Sequence, residues 1–518
     1  MLVKRHYSWD ASRMPSSVRT FTYNSKTPTN KLIADVPIGG LFAARICADH
    51  FEKVIVVEPE AWTFTDEARQ PANFDTREVK TSTGIYNTWN HKRSRVYQYS
   101  AVHFYQALLL RFARRLFPGF DSIAKSWGDL IRPLDVTLCL SGHLMRPHSY
   151  VETIIAPRRN IEPLIRKVVL EGTPEIEIIH GTVTRYQLSS DGSVNVVNVR
   201  LGNGENKDFS NCALAVDCTG IAQSGVKLLS RVIPTFPSDL RQTYTADIVY
   251  STLEYPVPPH FDEDLRKLNV PGMEVDGMKS GVLTFSASPD IDNRLASLLR
   301  CDANRVVFTM GGWAVDMPVN LQEIREFVKG IKNQNHVPDY FYKVLDLLEP
   351  VQHLGTVYEA RVANCYKVDY ARAAKVLPRN FVALGDSSMR VNPRFGQGVS
   401  KCAMGAICLD SVLRQMPPSN RAFSKSFFEK LTTRTTAVWD STRLSDYAAP
   451  GTNPIPGETH ETGRLMRWYN DQLIKHVEND RDLAQTLHHV QNFLAPSTDM
   501  LSPAIVARVL WGAFTGKA

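Results

Sequence analysis

The chain predicts an α/β fold in which a parallel-sheet domain is assembled from separated segments, an antiparallel sheet is inserted, and the C-terminal end is helical. Three observations carry this. Lys53-Val-Ile-Val-Val-Glu58 and Phe381-Val-Ala-Leu384 are apolar strand patterns, each beside a helical pattern, as in parallel strands buried on both faces. Between them lie blocks of short alternating strands, with hairpin-turn dipeptides at Asp191-Gly192 and Asn203-Gly204. Beyond Pro417 the pattern is helix and loop alone.

Taken in order, residues 1–36 read as a leader outside the fold. Through position 34 they are rich in Ser, Thr, Lys and Arg with Asp10 as the only acid, a faint likeness to a mitochondrial transit peptide. A helix over Gly39–Phe51 precedes the strand Lys53–Glu58, and a polar irregular stretch runs to Ser100. Apolar Phe104, Ala107, Leu108 and Phe112 predict a helix over His103–Phe117, and Arg158-Arg159 opens another over Asn160–Leu170. Glu175–Val216 reads as a three-stranded meander ending in Ala213–Asp217. A second β-rich region, Tyr244–Asp316, has strands near Ala246–Leu253, Gly281–Ser286 and Arg305–Met310. Helices and strands then alternate through Phe381–Leu384 into a long helix after Gly396, and Pro450–Pro456 reads as a linker.

At 518 residues the chain is long enough for two or three packed regions, and its 43% hydrophobic and 22% charged residues are those of a soluble globular protein. The net charge of +7 is spread without a basic block, which argues against a nucleic-acid partner and mildly favours anionic ligands such as a dinucleotide. Eight scattered cysteines lack metal-ligand spacing and read as reduced, buried thiols of a cytoplasmic compartment, with no metal site. No uninterrupted apolar run reaches about 18 residues, so no membrane span is expected.

The chemistry-bearing motifs fall at strand ends. Pro37-Ile-Gly-Gly40, a helix, a strand and then Glu58 form the back half of a dinucleotide fingerprint. In such a fingerprint glycines (here Gly39 and Gly40) let the backbone approach a pyrophosphate at a helix N-terminus, and an acid about 20 positions on binds a ribose hydroxyl. The first two glycine positions are instead Asp35 and Pro37, so an ordinary helix start remains the competing reading. Asp217 and Gly220 close a strand and suit either a plain turn or a ligand contact. The strongest signal is Leu384-Gly-Asp-Ser-Ser388 followed by Asn392-Pro-Arg-Phe-Gly-Gln-Gly398. It sets the Asp386 carboxylate within reach of a cofactor hydroxyl, and Gly396, Gln397 and Gly398 open a helix at its positive end. Arg158 suits a cofactor contact or a surface salt bridge with Glu162. Trp313, beside Asp316, reads as sheet core; Met404 and Cys408 read as helix core; His143 and His148 read as structural, and His488-His489 as facing solvent on one side. Ser387-Ser388 lacks the G-x-S-x-G elbow of a serine hydrolase.

In this order, Gly40 with Glu58, Arg158-Arg-Asn-Ile-Glu162, Asp217 and the Gly385-Asp386…Pro393…Gly396-Gln-Gly398 segment resemble the FAD-dependent monooxygenases of the aromatic hydroxylase type. That family includes many secondary-metabolite hydroxylases and epoxidases. The likeness covers roughly residues 37 to 415, and Gly311–Pro318 is similar to a segment of one actinobacterial and fungal branch. The resemblance implies a Rossmann-like FAD-binding domain from residues 37–100, 151–232 and 376–416, a substrate-binding region from 101–150 and 233–375, and a helical region over 417–518. It implies Glu58 on the adenosine ribose, Asp386 on the ribityl chain and the Gly396–Gly398 helix start facing the flavin pyrimidine. Gly39, Gly40, Arg158, Asp217, Gly220, Gly385 and Pro393 would complete the cofactor site; no catalytic side chain is assigned. NAD(P)H would reduce the flavin, and one atom of O2 would pass to a hydrophobic small molecule. The family has no separate nicotinamide domain, consistent with a single fingerprint. A flavin halogenase and a prenyl-chain reductase share the scaffold, although the halogenase Trp-x-Trp-x-Ile-Pro element is only partly echoed at Gly312–Pro318. Asp35 and Pro37 motivate a further alternative, a non-enzymatic homologue that has lost FAD, because both would weaken pyrophosphate binding.

Overall fold

A computed structural model of the chain describes residues 30–516 apart from 35–36, 81–83, 97, 135–136, 269–280, 288–290, 303 and 334. A seven-stranded sheet runs in the order Asn206–Phe209, Val194–Leu201, Ile176–Leu188, Lys53–Glu58, Asn30–Ala34, Ala215–Asp217, Phe381–Ala383. Its last five strands pair in parallel, with Ile33 opposite Val56 and Val216, and Val216 opposite Val382. The strand Asn30–Ala34 lies inside the stretch expected to be a leader, so the parallel sheet begins earlier than the motif pattern suggested. Five residues with one polar end give too short a pattern to separate from an unstructured segment; pairing on both edges decides it.

The meander also differs from expectation. It consists of Ile176–Leu188, Val194–Leu201 and Asn206–Phe209, paired antiparallel. Ala215–Asp217 leaves it and inserts between the parallel strands Asn30–Ala34 and Phe381–Ala383. The burial patterns explain the split: Ile176–Leu188 alternates between buried and partly exposed positions, whereas Ala215–Asp217 is buried throughout and Leu214 beside it is also buried.

Helix Ile38–His50 follows the first strand and packs against helix Gly398–Leu413. Their approach is close enough that a Cβ on Gly39 would sit 3.3 Å from both Cys402 Sγ and Leu384 Cδ1, and one on Gly405 2.9 Å from Leu384 Cβ. The predicted helix at Asn160 spans Arg158–Glu171, and the one expected from His103 begins at Ala107 after an extended run.

The second sheet takes the order Thr76–Lys80, Ile85–Trp89, Thr356–Val368, Arg241–Pro256, Arg305–Trp313, Leu295–Cys301, Gly281–Ser286, Thr137–Leu140, His143–Met145, with Met389–Arg390 pairing onto Thr356–Val368. Leu295–Cys301 and Thr356–Val368 are strands beyond those read from the sequence. The first is a short apolar run that periodicity alone does not assign to strand or helix. Helices Leu321–Lys329 and Asp339–Leu348 cover this sheet through Leu321, Ile324, Phe341 and Leu345.

The C-terminal helices Arg464–His476, Arg481–Gln491 and Pro503–Thr515 bury Tyr469, Leu473, Leu483 and Val509 together with Met145. Residues 450–456 are packed and do not form a free linker: Asn453 bridges to Thr245 and Ile455 lies against the main core. His488, expected to have a solvent side, is buried; its Nε2 accepts from the Val151 N–H at 3.2 Å, and the apolar surroundings lower its pKa to about 4. Met404 and Cys408 are in the core as expected. Among the described residues no helix is long and apolar enough to cross a membrane.

Candidate active site

A cavity of about 320 Å³ opens where three parallel strands end, and the second sheet forms its opposite wall. Pro37–Gly39 follow the first of these strands, Cys218–Gly220 the second and Leu384–Asp386 the third. This is where ligands bind in open parallel sheets. Of the residues singled out from the sequence, Gly39, Arg158, Gly220, Gly385, Asp386, Pro393, Gly396 and Gly398 line the cavity. Gly40, Glu58, Asp217 and Gln397 are outside its lining.

Asp217 builds a turn. Its carboxylate accepts from Thr219 N (2.8 Å), Thr219 Oγ1 (2.7 Å) and Gly225 N (2.8 Å), and from Ser387 Oγ at 3.1 Å. Ser387 Oγ in turn accepts from the Gly220 N–H at 2.9 Å, so one buried carboxylate ties two strand ends together. Gln397 Oε1 accepts from Thr442 Oγ1 at 3.3 Å. Asp316 is exposed, whereas Trp313 is 1% exposed, as a sheet-core residue.

Glu58 is fully buried and accepts from the Glu60 N–H at 2.8 Å and from Arg93 Nη1 at 3.3 Å. Arg93 also pairs with Glu60 and donates from Nε to Glu162 Oε1 at 2.8 Å. Glu162 further accepts from Arg158 Nε at 2.9 Å and Arg166 Nη2 at 3.0 Å. Burial alone would raise the pKa of Glu162, but Arg93, Arg158 and Arg166 hold it well below the usual carboxylate range. Arg158 thus pairs with Glu162, in a largely buried pair and not on the helix surface, and also lines the cavity. Arg93, which sequence reasoning missed, also lines the cavity and is 2% exposed. Its carboxylate partners Glu58, Glu60 and Glu162 are 33 or more residues away in sequence, so no local spacing signals these pairs.

At the opposite side, Asp386 Oδ1 is 2.6 Å from Lys401 Nζ, which also donates to Met389 O. Lys401, again missed, sits in the first turn of helix Gly398–Leu413 and is 2% exposed, while the Asp386 side chain is 37% exposed toward the cavity. Gly396 has φ +64°, and a Cβ there would strike Phe104; Gly398 faces open space. Nearby, Asp446 accepts from Tyr244 Oη (2.7 Å) and Asn392 Nδ2 (2.8 Å), and burial pushes its pKa up to about 7. His103 lines the cavity with its Nδ1 2.9 Å from Ala101 O; burial and then Arg158 lower its pKa to about 4, so the ring is neutral at pH 7.

These residues fit a flavin dinucleotide at three places. The helix start at Pro37–Gly39 with Arg93 and Arg158 suits a pyrophosphate, Asp386 suits polyol hydroxyls, and the open side of Gly398 suits close approach of a planar ring. Pro37 is the helix N-cap, where its carbonyl accepts from Gly40 N at 2.8 Å and its missing N–H interrupts no helical bond. Asp35 lies outside the described residues.

No family model matches the chain. It is 24% identical over 475 residues to Protein Rv3254 of Mycobacterium tuberculosis (strain ATCC 25618 / H37Rv), covering 88% of this chain and 87% of that one. Among solved structures it is similar to the flavin-dependent brominase Bmp2, with a TM-score of 0.56 at 12% identity, over 95% of this chain and 100% of the other. A flavoprotein/dehydrogenase from Cytophaga hutchinsonii gives a TM-score of 0.56 at 10% identity, over 92% and 95%. The chain thus has the fold of these flavin-dependent proteins.

Proposed function

We propose that the protein is an FAD-dependent monooxygenase that uses NAD(P)H and O2 to hydroxylate or epoxidise a hydrophobic small molecule in the cytoplasm, as part of secondary metabolism. One observation carries this reading: two helix starts, Pro37–Gly39 and Gly398, and the Asp386 carboxylate face a single cavity that continues onto the second sheet. Bound FAD would supply the redox chemistry between NAD(P)H and O2. The chain's own groups bind and orient. Arg158, which gives only its Nε to Glu162 and lines the cavity, keeps its terminal N–H groups as charge-assisted donors for a pyrophosphate. Asp386, fixed by Lys401, accepts from hydroxyls. A ribose contact at Glu58 would share its carboxylate with the Glu60 N–H and Arg93. Ile248, Tyr250 and Leu295 of the second sheet exclude water from the far end. A neutral His103, its Nδ1–H donated to Ala101 O, can accept a hydrogen bond at Nε2 without adding charge.

The test is to titrate the purified protein with FAD, then denature it and identify the flavin released. Substrate-dependent NAD(P)H oxidation follows, under isotopically labelled O2. Non-covalent FAD and one labelled oxygen in the product are expected; FMN, a flavin retained on the chain, or no flavin binding overturns the reading. The likeness in fold to a brominase supports a second reading, halogenation on the same scaffold. Adding bromide distinguishes them, because a brominated product in place of an oxygenated one favours the halogenase.

A further inference from the structure

We propose that Arg394 anchors the substrate in this cavity and that the substrate is an apolar carboxylate, its acid group held by the Arg394 guanidinium and its hydrocarbon body against the second sheet. The inference rests on the cavity's being the substrate-bearing flavin site argued above.

Arg394 differs from the other cavity-lining arginines whose partners are described. Arg93 and Arg158 are committed to carboxylates. Arg394 makes no ion pair or side-chain hydrogen bond among the described residues, and its Nη1 is buried without a partner. Its side-chain contacts are ring faces: the guanidinium carbon is 5.0 Å from the Trp313 centroid and 5.7 Å from that of Phe395. Burial lowers the Arg394 pKa, with only Asp446 acting against this. Asp446 is a poor counter-ion, since Tyr244 and Asn392 already occupy it and its own pKa is raised to about 7. Arg394 is half-buried, and a guanidinium nitrogen held out of water with no acceptor, as its Nη1 is, is costly unless something else supplies one.

Place and surroundings indicate what that acceptor is. Pro393 and the Arg394 N–H bond to Asn392 Oδ1 (3.0 Å) fix the backbone, and the side chain reaches Trp313 at the end of strand Arg305–Trp313. Thr309 on the same strand lines the cavity, and its Oγ1 is also buried without a partner. Ile248 and Leu295 add apolar side chains to the wall beside it, among the hydroxyls of Tyr250, Thr284, Ser286 and Ser297. A planar fork of donors 5.0 Å over an indole, the unpartnered Thr309 hydroxyl and the apolar side chains of Ile248 and Leu295 match a carboxylate on a hydrophobic frame, because guanidinium pairs bidentately with carboxylate.

The experiment measures binding of 2-naphthoate and of uncharged 2-naphthamide to the FAD-loaded protein by calorimetry, alongside a separate FAD titration. The native protein should bind the acid at least about tenfold more tightly than the amide, as expected of a charge-assisted pair. Arg394→Met should abolish that preference while leaving FAD affinity unchanged, and Arg394→Lys should retain part of it. Equal binding of acid and amide to the native protein overturns the proposal, as does a preference that survives in Arg394→Met. Loss of FAD affinity in Arg394→Met overturns it by assigning Arg394 to the cofactor. Displacement of 2-naphthoate by equimolar bromide overturns it in favour of a halide site. Failure of the native protein to bind FAD counts against the monooxygenase reading alone, because the acid and amide can still be compared on the flavin-free chain.

Discussion

Replacing Asp386 by alanine removes a group with two partners: the proposed cofactor and Lys401. Lys401 Nζ lies 2.6 Å from Asp386 Oδ1 and is 2% exposed, so the substitution strands a buried ammonium with only Met389 O as acceptor. Removing one partner of a buried pair costs about 3–5 kcal/mol. The 37% exposure of Asp386 and the remaining bond to Met389 O bring the expected loss of stability to about 2 kcal/mol. Loss of a charge-assisted bond to a flavin hydroxyl should weaken FAD binding by about tenfold to a hundredfold. Both effects follow from one carboxylate, and a second substitution separates them. Asp386→Ala with Lys401→Met removes the stranded charge, so stability should return to within about 1 kcal/mol of the native protein while FAD affinity stays low. Urea denaturation reads the first quantity and flavin-fluorescence titration the second. Unchanged FAD affinity in Asp386→Ala would remove this carboxylate from the site. A double variant no more stable than the single one would refute the account of Lys401.

Glu162→Gln should destabilise the protein by about 3–5 kcal/mol at pH 7, since Arg93, Arg158 and Arg166 lose their shared carboxylate. Because the folded pKa of Glu162 is lowered, its contribution is fully present above the unfolded value near 4.3 and is lost as pH falls toward the folded value. The variant's denaturation midpoint should therefore vary less with pH below about 4.3; an unchanged midpoint at pH 7 sinks this reading. Asp35→Gly with Pro37→Gly tests the incomplete fingerprint. Like charges about 5 Å apart repel by roughly 3 kcal/mol at an effective dielectric near 20, so removing Asp35 should raise flavin content after expression with excess FAD. A native protein already saturated with flavin shows that the departures at 35 and 37 do not weaken binding.

Residues whose roles follow from neighbours along the chain were legible before any coordinates. The all-apolar interior of Lys53–Glu58 announced a strand buried on both faces. The spacing of Gly385-Asp386 and Gly396–Gly398 announced a turn and a helix start, and Gly385, Asp386, Gly396 and Gly398 line one cavity. Glycine at 396 is readable because a left-handed φ and a close approach to Phe104 leave few other choices. Asp217, which suited both a turn and a ligand contact, forms the turn, because the groups that capture its carboxylate lie at Thr219, Gly225 and Ser387.

By itself, the sequence determined the periodicities, the turn chemistry and the helix starts, because backbone hydrogen bonding and sterics act over a few residues. Only the tertiary structure decided that Asn30–Ala34 and Ala215–Asp217 are neighbouring parallel strands, since each is too short to declare its partner. It alone decided which charges are paired. Arg93 is held by Glu58, Glu60 and Glu162, and Lys401 by Asp386, whereas Arg394 is left against Trp313 with donors to spare. A buried charge takes its energy from whatever the fold brings within a few ångströms, and composition and spacing carry no record of that distance.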